Sequence, residues 1–125
     1  MKKLFVAFAL LTVPVLSAPL LSQQVIAATA GHLGDLTPFI VIAQDTLGLV
    51  ENGDLTTAKA RITDFEKAWD TAQPKLYPLN KTEWGVIDEA ADAAISSLRA
   101  SKPSAREAQK AVTRLITALQ NPSVQ

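Results

Sequence analysis

Apolar residues recur every three or four positions along four segments of the chain, and residues that start or stop helices bound each segment. The second segment keeps this spacing without a break: Leu55, Ala58, Ile62, Phe65, Trp69, Ala72 and Leu76. Such spacing places the apolar side chains on one face of an α-helix. Asp54 is the expected N-cap of this helix. Pro74 predicts that the helix ends or kinks near Ala72.

The first segment, Thr37 to Val50, is apolar on more than one face. Thr37 is the expected N-cap, Pro38 suits the first helical position, and Gly53 is expected to take a left-handed conformation just after the helix. Its main stripe comprises Leu36, Phe39/Ile40, Ala43, Leu47 and Val50. Three further apolar residues lie beside that stripe, namely Val41, Ile42 and Leu49. This helix therefore carries more apolar surface than one core-facing stripe requires.

The third and fourth segments each open with a capping box, in which a cap residue is followed three positions later by glutamate. These boxes are Asn80-x-x-Glu83 and Ser104-x-x-Glu107. The apolar stripe of the third segment comprises Trp84, Ile87, Ala91, Ala94/Ile95 and Leu98, and that of the fourth comprises Ala108, Val112, Leu115 and Leu119. Pro103 and Pro122 follow the expected helix ends.

Short loops between four such helices predict antiparallel neighbours, and hence an all-α, up-down-up-down four-helix bundle over residues 37–121. The alternative is a three-helix core formed by the last three segments. In that arrangement the first helix docks on a partner or on a second copy of the chain.

The N-terminal residues have the pattern of a secretory signal peptide. Lys2 and Lys3 precede an apolar run from Leu4 to Leu11, and Ala-x-Ala-like sites allow cleavage after Ala27 or Ala30. The apolar stretch is too short to span a bilayer. We therefore predict a signal peptide over 1–27, a flexible mature N-terminus over 28–36, a short tail over 122–125, and a periplasmic protein without stable membrane insertion.

The charge of the chain limits the classes of partner that it can bind, and its cysteine content limits how it is stabilised. The chain has 12 basic and 12 acidic residues, so loss of Lys2 and Lys3 leaves ten against twelve and a net charge near −2. This balance indicates neither the basic stripe expected of nucleic-acid binding nor a polybasic patch for anionic lipid. The chain has no cysteine, so its stability must come from apolar packing without disulfides.

The usual cofactors of helical bundles lack their ligands in this sequence. The only methionine is Met1 and the only histidine is His32, so haem ligation by Met and His is not expected, and no Glu-x-x-His motif is present for a di-iron site. Zinc sites normally use His or Cys. Nucleophilic triads would need a histidine base, and His32 is expected in the flexible N-terminus. We therefore expect a non-enzymatic protein without a cofactor.

Several acidic residues remain as weak metal candidates: Glu66, Asp70, Asp88 and Asp92. His32 joins them, because with a freed terminal amine it has the nitrogen donors that copper and nickel accept. A solvent-exposed acidic face is the simpler interpretation. Trp69 and Trp84 occupy stripe positions and are expected in the core. Asp45 lies among apolar neighbours, so we expect it to be partly buried beside an Arg or Lys from another helix.

Two segments resemble a known group of proteins: Ala58-Lys59-x-Arg61-Ile62-x-Asp64-Phe65-Glu66-x-Ala68-Trp69-Asp70 and Trp84-x-x-Ile87-Asp88-x-Ala90-x-Asp92-x-Ala94-Ile95-x-x-Leu98-Arg99-Ala100. They resemble small exported proteobacterial proteins of unassigned function, some of them loosely labelled histidine kinase. The similarity spans Gly53 to Ala118 and implies a Gram-negative envelope protein with a helical fold. It transfers no catalytic residue. The chain has no glycine-rich nucleotide loop to support a kinase label.

The leading hypothesis is a non-enzymatic periplasmic interaction or accessory protein, with an envelope protein or a second copy as partner. Surplus apolar surface is typical of partner sites, so Val41, Ile42 and Leu49 are the candidate binding residues, expected at the least-covered edge of their helix. The alternative is a protein that binds metal or a small ligand through its acidic helix face. A third hypothesis is an enzyme that uses Asp45 or the acidic cluster.

Overall fold

The computed structural model describes residues 32–123, and in this range the chain forms four helices. They are α1 (Thr37–Glu51), α2 (Leu55–Leu76), α3 (Lys81–Arg99) and α4 (Ala105–Gln120). The predicted signal peptide and both of its cleavage sites lie outside the described residues. None of the described helices combines the length and apolarity needed to cross a membrane.

Each helix packs against its two neighbours around a ring. α1 contacts α2 and α4, and α3 contacts the same two helices. The predicted four-helix bundle is therefore confirmed. The alternative three-helix core is not what forms, because α1 contributes Ala43, Thr46 and Val50 to the buried interior.

The predicted caps of α2, α3 and α4 form. Asp54 accepts a hydrogen bond from the backbone N–H of Thr57 at 3.1 Å, and Asn80 accepts one from Glu83 at 3.0 Å. Ser104 accepts a longer one, of 3.4 Å, from Glu107. Gly53 has a φ of 78°, the left-handed conformation predicted after α1. These local bonds fix the helix starts largely as their sequence signals predict.

Two predicted boundaries are wrong. Thr37 is not the N-cap of α1 but its first residue, because the carbonyl of Leu36 accepts the first helical hydrogen bond, from the N–H of Ile40 at 3.0 Å. The carboxylate of Asp35 accepts the N–H of Thr37, also at 3.0 Å. Pro74 does not end α2, which continues to Leu76, and the N–H of Tyr77 still bonds to the carbonyl of Gln73 at 2.9 Å. Proline removes one N–H in the last turn, where its fixed φ remains compatible with the helix.

The core is built around a line of aromatic rings. Trp69 lies in the middle, with the Phe65 ring 6.0 Å and the Trp84 ring 5.3 Å from its own, both stacked. Phe39 from α1 meets Trp69 edge-on at 5.2 Å. Both tryptophans are buried, as predicted. Rings from α1, α2 and α3 thus hold three helices together at this level of the bundle.

One buried polar residue of α1 is absent from the predicted stripe. Thr46 is fully buried, and its hydroxyl donates to the carbonyl of Ile42, four residues earlier, at 2.8 Å. Because this bond satisfies the hydroxyl, threonine occupies a core position at little cost.

Candidate functional site

The three candidate partner residues of α1 differ in exposure. Val41 is 46% exposed, while Ile42 and Leu49 are half-buried and pack against the core. α1 thus uses much of its surplus apolar surface against its neighbours, because a helix with two flanking partners needs a broad apolar face. Val41 remains as the large apolar side chain of α1 that faces solvent.

Asp45 lies in the same row as Val41 and Leu49, one helical turn from each. Its carboxylate accepts a hydrogen bond from Arg61 of α2 at 2.8 Å. The expected arginine partner from another helix is therefore confirmed. The expected burial is wrong, since the Asp45 side chain is 54% exposed. Asp45 thus forms a surface ion pair that crosses the apolar row.

A second group of exposed apolar side chains lies in the turn between α2 and α3. Leu79 is 56% exposed and Tyr77 39% exposed. The ammonium of Lys81 lies 5.5 Å from the centre of the Tyr77 ring, within cation–π range. The edge of Tyr77 covers Trp84, with 5.4 Å between ring centres, so this turn also closes one end of the core.

Among the four acidic residues predicted as metal candidates, the structure places Glu66 in an ion pair. Glu66 is held by Arg99 of α3, whose guanidinium donates to both carboxylate oxygens at 2.8 and 3.2 Å. The hydrogen bond from Arg99 outweighs desolvation and, with its charge, lowers the pKa of Glu66. Glu66 is therefore the acid half of a bidentate ion pair that joins α2 to α3.

Asp88 is in a different environment. Its Oδ1 accepts a hydrogen bond from the indole N–H of Trp69 at 3.2 Å. Burial, followed by repulsion from Asp92, raises the pKa of Asp88 against the opposing Trp69 hydrogen bond, and Asp70 adds further repulsion. Asp88 thus lies close enough to Asp92 and Asp70 to be repelled by both.

Within residues 32–123, no group of three or more His, Asp or Glu side chains is arranged to hold a metal ion. Glu66 bonds to Arg99, His32 to Glu83 and Asp88 to Trp69, so three of the five candidates already have protein partners. The metal-binding alternative stays a hypothesis, and the described residues add no arranged set of ligands to it.

Asp88 offers a test of this acidic group through stability. Because its pKa is raised in the folded state, ionisation opposes folding, and stability falls as the pH rises above the usual Asp value of 3.8. Asp88→Asn keeps an oxygen for Trp69 and removes the charge. We expect a higher melting temperature at pH 7 and a smaller gain near pH 3, measured by circular dichroism.

Asp92→Asn is the matched control, since Asp92 is exposed on the same helix and should change the melting temperature less. A loss of stability in Asp88→Asn at pH 7 would show instead that the ionised carboxylate favours the fold. Micromolar divalent cations that raise the melting temperature of the native chain, but not of Asp88→Asn, would support the metal-binding alternative.

The cluster that sequence reasoning missed is centred on Glu83, which is 4% exposed. Its carboxylate accepts hydrogen bonds from the backbone N–H of His32 at 3.2 Å and from the His32 ring nitrogen Nδ1 at 2.9 Å. The hydroxyl of Ser123 donates to the same carboxylate. A residue predicted to complete a capping box instead joins both ends of the described chain.

This cluster shows how both ends of the described range pack. Residues 32–36, predicted as part of a flexible N-terminus, include the buried Leu33 and Leu36, and His32 bonds to Glu83. In the tail predicted after residue 121, Pro122 is buried and Ser123 is hydrogen-bonded. Residues 28–31 lie outside the described range. The sequence would have indicated this cluster only if it showed that Glu83 is buried, and burial cannot be read from the sequence.

The order of groups in this cluster is not that of a catalytic triad. A triad places histidine between the nucleophile and the carboxylate. Here Glu83 lies between Ser123 and His32, so the histidine is not hydrogen-bonded to the serine in the way a general base would be. Burial would raise the pKa of Glu83, but the hydrogen bonds from Ser123 and His32 outweigh it and the pKa is lowered. The hydrogen bonds of this site attach His32 and Ser123 to α3.

Comparison of the chain with protein-family models, with curated proteins and with solved structures finds no match. The resemblance to exported proteobacterial proteins therefore stays an expectation from the residues that suggested it.

Proposed function

We propose that this protein is a non-enzymatic interaction protein of the Gram-negative periplasm and that it binds a protein partner through the outer surface of α1. The proposal draws on the N-terminal signal pattern for its compartment. The single observation that carries the binding site is the exposure of Val41, at 46%, beside the half-buried Ile42 and Leu49.

The chemistry of this surface suits a protein partner. Val41 and Leu49 lie on either side of the Asp45–Arg61 ion pair, so the surface offers apolar and charged contacts together, as protein interfaces commonly do. α1 contains no lysine or arginine. We therefore expect a partner with an apolar contact and no strongly acidic edge.

Photocrosslinking in the intact envelope tests this proposal. A photoreactive residue in place of the exposed Gln44, one turn from Val41, should give a discrete adduct, and Val41→Asp should reduce its yield severalfold because it places a charge in the contact. Val41 is exposed, so this substitution should change the free energy of unfolding by less than about 0.5 kcal/mol.

A photoreactive residue at Thr113, exposed on α4, serves as the control position. Adducts at residue 44 that persist in Val41→Asp, or equal labelling from both positions, would count against a site on α1. An adduct with twice the mass of the chain would identify a second copy as the partner, which light scattering of the purified protein would check.

A further inference from the structure

Basic residues are unevenly distributed in this chain, although its total charge is balanced. From Lys102 to the C-terminus the sequence holds four basic residues and one acidic residue, Glu107. The part from residue 28 to residue 101 holds six basic and eleven acidic residues. The near-zero net charge of the whole chain is therefore the sum of a basic C-terminal quarter and an acidic remainder.

Three basic residues of this quarter, Arg106, Lys110 and Arg114, lie along α4, and Lys102 precedes the helix by three residues; together we call these four the α4 ridge. All four are exposed. Successive members are four residues apart, so within the helix each step rises about 6 Å and turns about 40°. The buried positions Ala108, Val112, Leu115 and Leu119 lie on the opposite face, which directs Arg106 and Lys110 straight away from the core.

Most of the ridge has no counter-charge within the described part of the chain. Arg114 lies 3.7 Å from Glu89 of α3, whereas no ion pair involves Lys102, Arg106 or Lys110 there. Glu107 is the one acid of α4, and its position in the first turn favours the helix dipole. The ridge is therefore a row of solvated cations free to meet an external anionic group.

We infer that the α4 ridge attaches this protein to an anionic phospholipid surface. Unpaired cations in a row are attracted collectively by many headgroups. The acidic remainder of the molecule is repelled by the same surface. Together these forces orient α4 toward the lipid and α2, on the opposite side of the ring, away from it. The inference rests on the proposed export but not on the proposed site at α1.

The absence of other features on α4 favours lipid over protein or nucleic acid as the occupant. The large exposed apolar side chains of the described chain are Val41, Tyr77 and Leu79, and none lies on α4, so the ridge has no apolar anchor of the kind that dominates protein interfaces. α4 also has no aromatic residue on which a nucleotide base would stack. Attachment to a planar anionic surface requires neither an apolar anchor nor an aromatic residue.

The sequence predicted no polybasic patch, and we revise that prediction at the α4 ridge. That expectation was based on charge summed over the whole chain. The structure places Arg106, Lys110 and Arg114 on the outward side of α4, with Lys102 just before it, which a sum cannot show. Attachment of this kind is peripheral and requires no membrane-spanning segment.

Vesicle co-sedimentation tests the inference with the purified processed protein, its N-terminus checked by mass spectrometry. Vesicles of equal parts phosphatidylglycerol and phosphatidylcholine should bind the protein at 50 mM salt, and pure phosphatidylcholine vesicles should not. Arg106→Gln combined with Lys110→Gln should reduce the partition coefficient about 25-fold, about fivefold for each cation. Binding to the mixed vesicles should fall as salt rises to 500 mM.

The matched control is Lys59→Gln combined with Lys67→Gln, which makes the same change of net charge on the exposed face of α2. It should leave binding within about twofold, and circular dichroism checks that both variants are folded. Equal loss in the two double variants would overturn the ridge as the attachment surface. Binding to pure phosphatidylcholine, no binding to the anionic vesicles, or tighter binding to duplex DNA would overturn the assignment to anionic lipid.

Discussion

Replacing Trp69 with alanine is expected to lower the free energy of unfolding by about 3–5 kcal/mol, the range typical of large aromatic side chains removed from a core. Trp69 is 2% exposed and its ring meets those of Phe39, Phe65 and Trp84. The cavity would therefore open where three helices meet. In a domain of this size the loss corresponds to a fall in melting temperature of more than about 12 °C.

Phenylalanine substitutions keep this prediction testable if Trp69→Ala does not fold. The indole N–H of Trp69 donates to Asp88, whereas that of Trp84 is buried without a hydrogen-bond partner among the described residues. Trp69→Phe should cost about 2 kcal/mol, since it removes a hydrogen bond to a carboxylate. Trp84→Phe makes the same chemical change but also removes an unsatisfied donor, so it should cost less than about 1 kcal/mol.

Urea unfolding followed by far-ultraviolet circular dichroism measures all three variants. The comparison of the two phenylalanine variants is the decisive one, because both lose the same ring area. A Trp84→Phe variant less stable than Trp69→Phe would contradict the hydrogen-bond assignments of both indoles.

The second large effect is expected at Glu83. Glu83→Gln should lower the free energy of unfolding at pH 7 by roughly 2–3 kcal/mol, because its amide group would face donors from His32 and Ser123 with only one accepting oxygen. Glu89→Gln on the same helix is the control. The Glu89 side chain is 76% exposed, so its loss should change stability by less than about 0.5 kcal/mol.

The pH dependence of this effect has a definite sign. The pKa of Glu83 is lowered in the folded state, so the unfolded chain binds the proton more readily in the acidic range. The contribution of Glu83 is therefore complete above its usual value of 4.5 and disappears as the pH falls through the lower folded pKa. Native protein and Glu83→Gln should converge in stability as the pH falls below 4.5, in contrast to the opposite trend expected at Asp88.

Hydrogen exchange identifies which backbone amides depend on the Glu83 carboxylate for protection. Loss of the Glu83 carboxylate should increase amide exchange at residues 32–36 and 121–123 before it affects the middle of α2. Uniformly faster exchange throughout the bundle, with no preference for these ends, would show that Glu83 does not specifically attach them.

Local features of this fold were predictable because they depend on residues close in sequence. The caps at Asp54, Asn80 and Ser104 each bond to an N–H three residues later, and Gly53 adopts its left-handed conformation within its own turn. The failures at Thr37 and Pro74 are also local. At Thr37 the carbonyl of Leu36, one position earlier, accepts the first helical bond from the N–H of Ile40, and at Pro74 the helix tolerated the missing donor near its end.

The candidate site was less predictable, because side-chain partners depend on which helices become neighbours. The sequence indicated surplus apolar residues on α1, but packing against both α2 and α4 left Val41 as the exposed one of the three. It indicated an acidic face, but Arg99 removed Glu66 from the group and Trp69 engaged Asp88.

By itself the sequence determined the four amphipathic segments and most of their ends. A spacing of three and four residues between apolar positions gives each helix one apolar face, and these faces must be buried against one another. The tertiary structure alone decided that α1 joins the ring and that Glu83 is buried beneath His32 and Ser123. These outcomes depend on residues 40 or more positions apart meeting in space, and on the direction of each helix face, which periodicity leaves open.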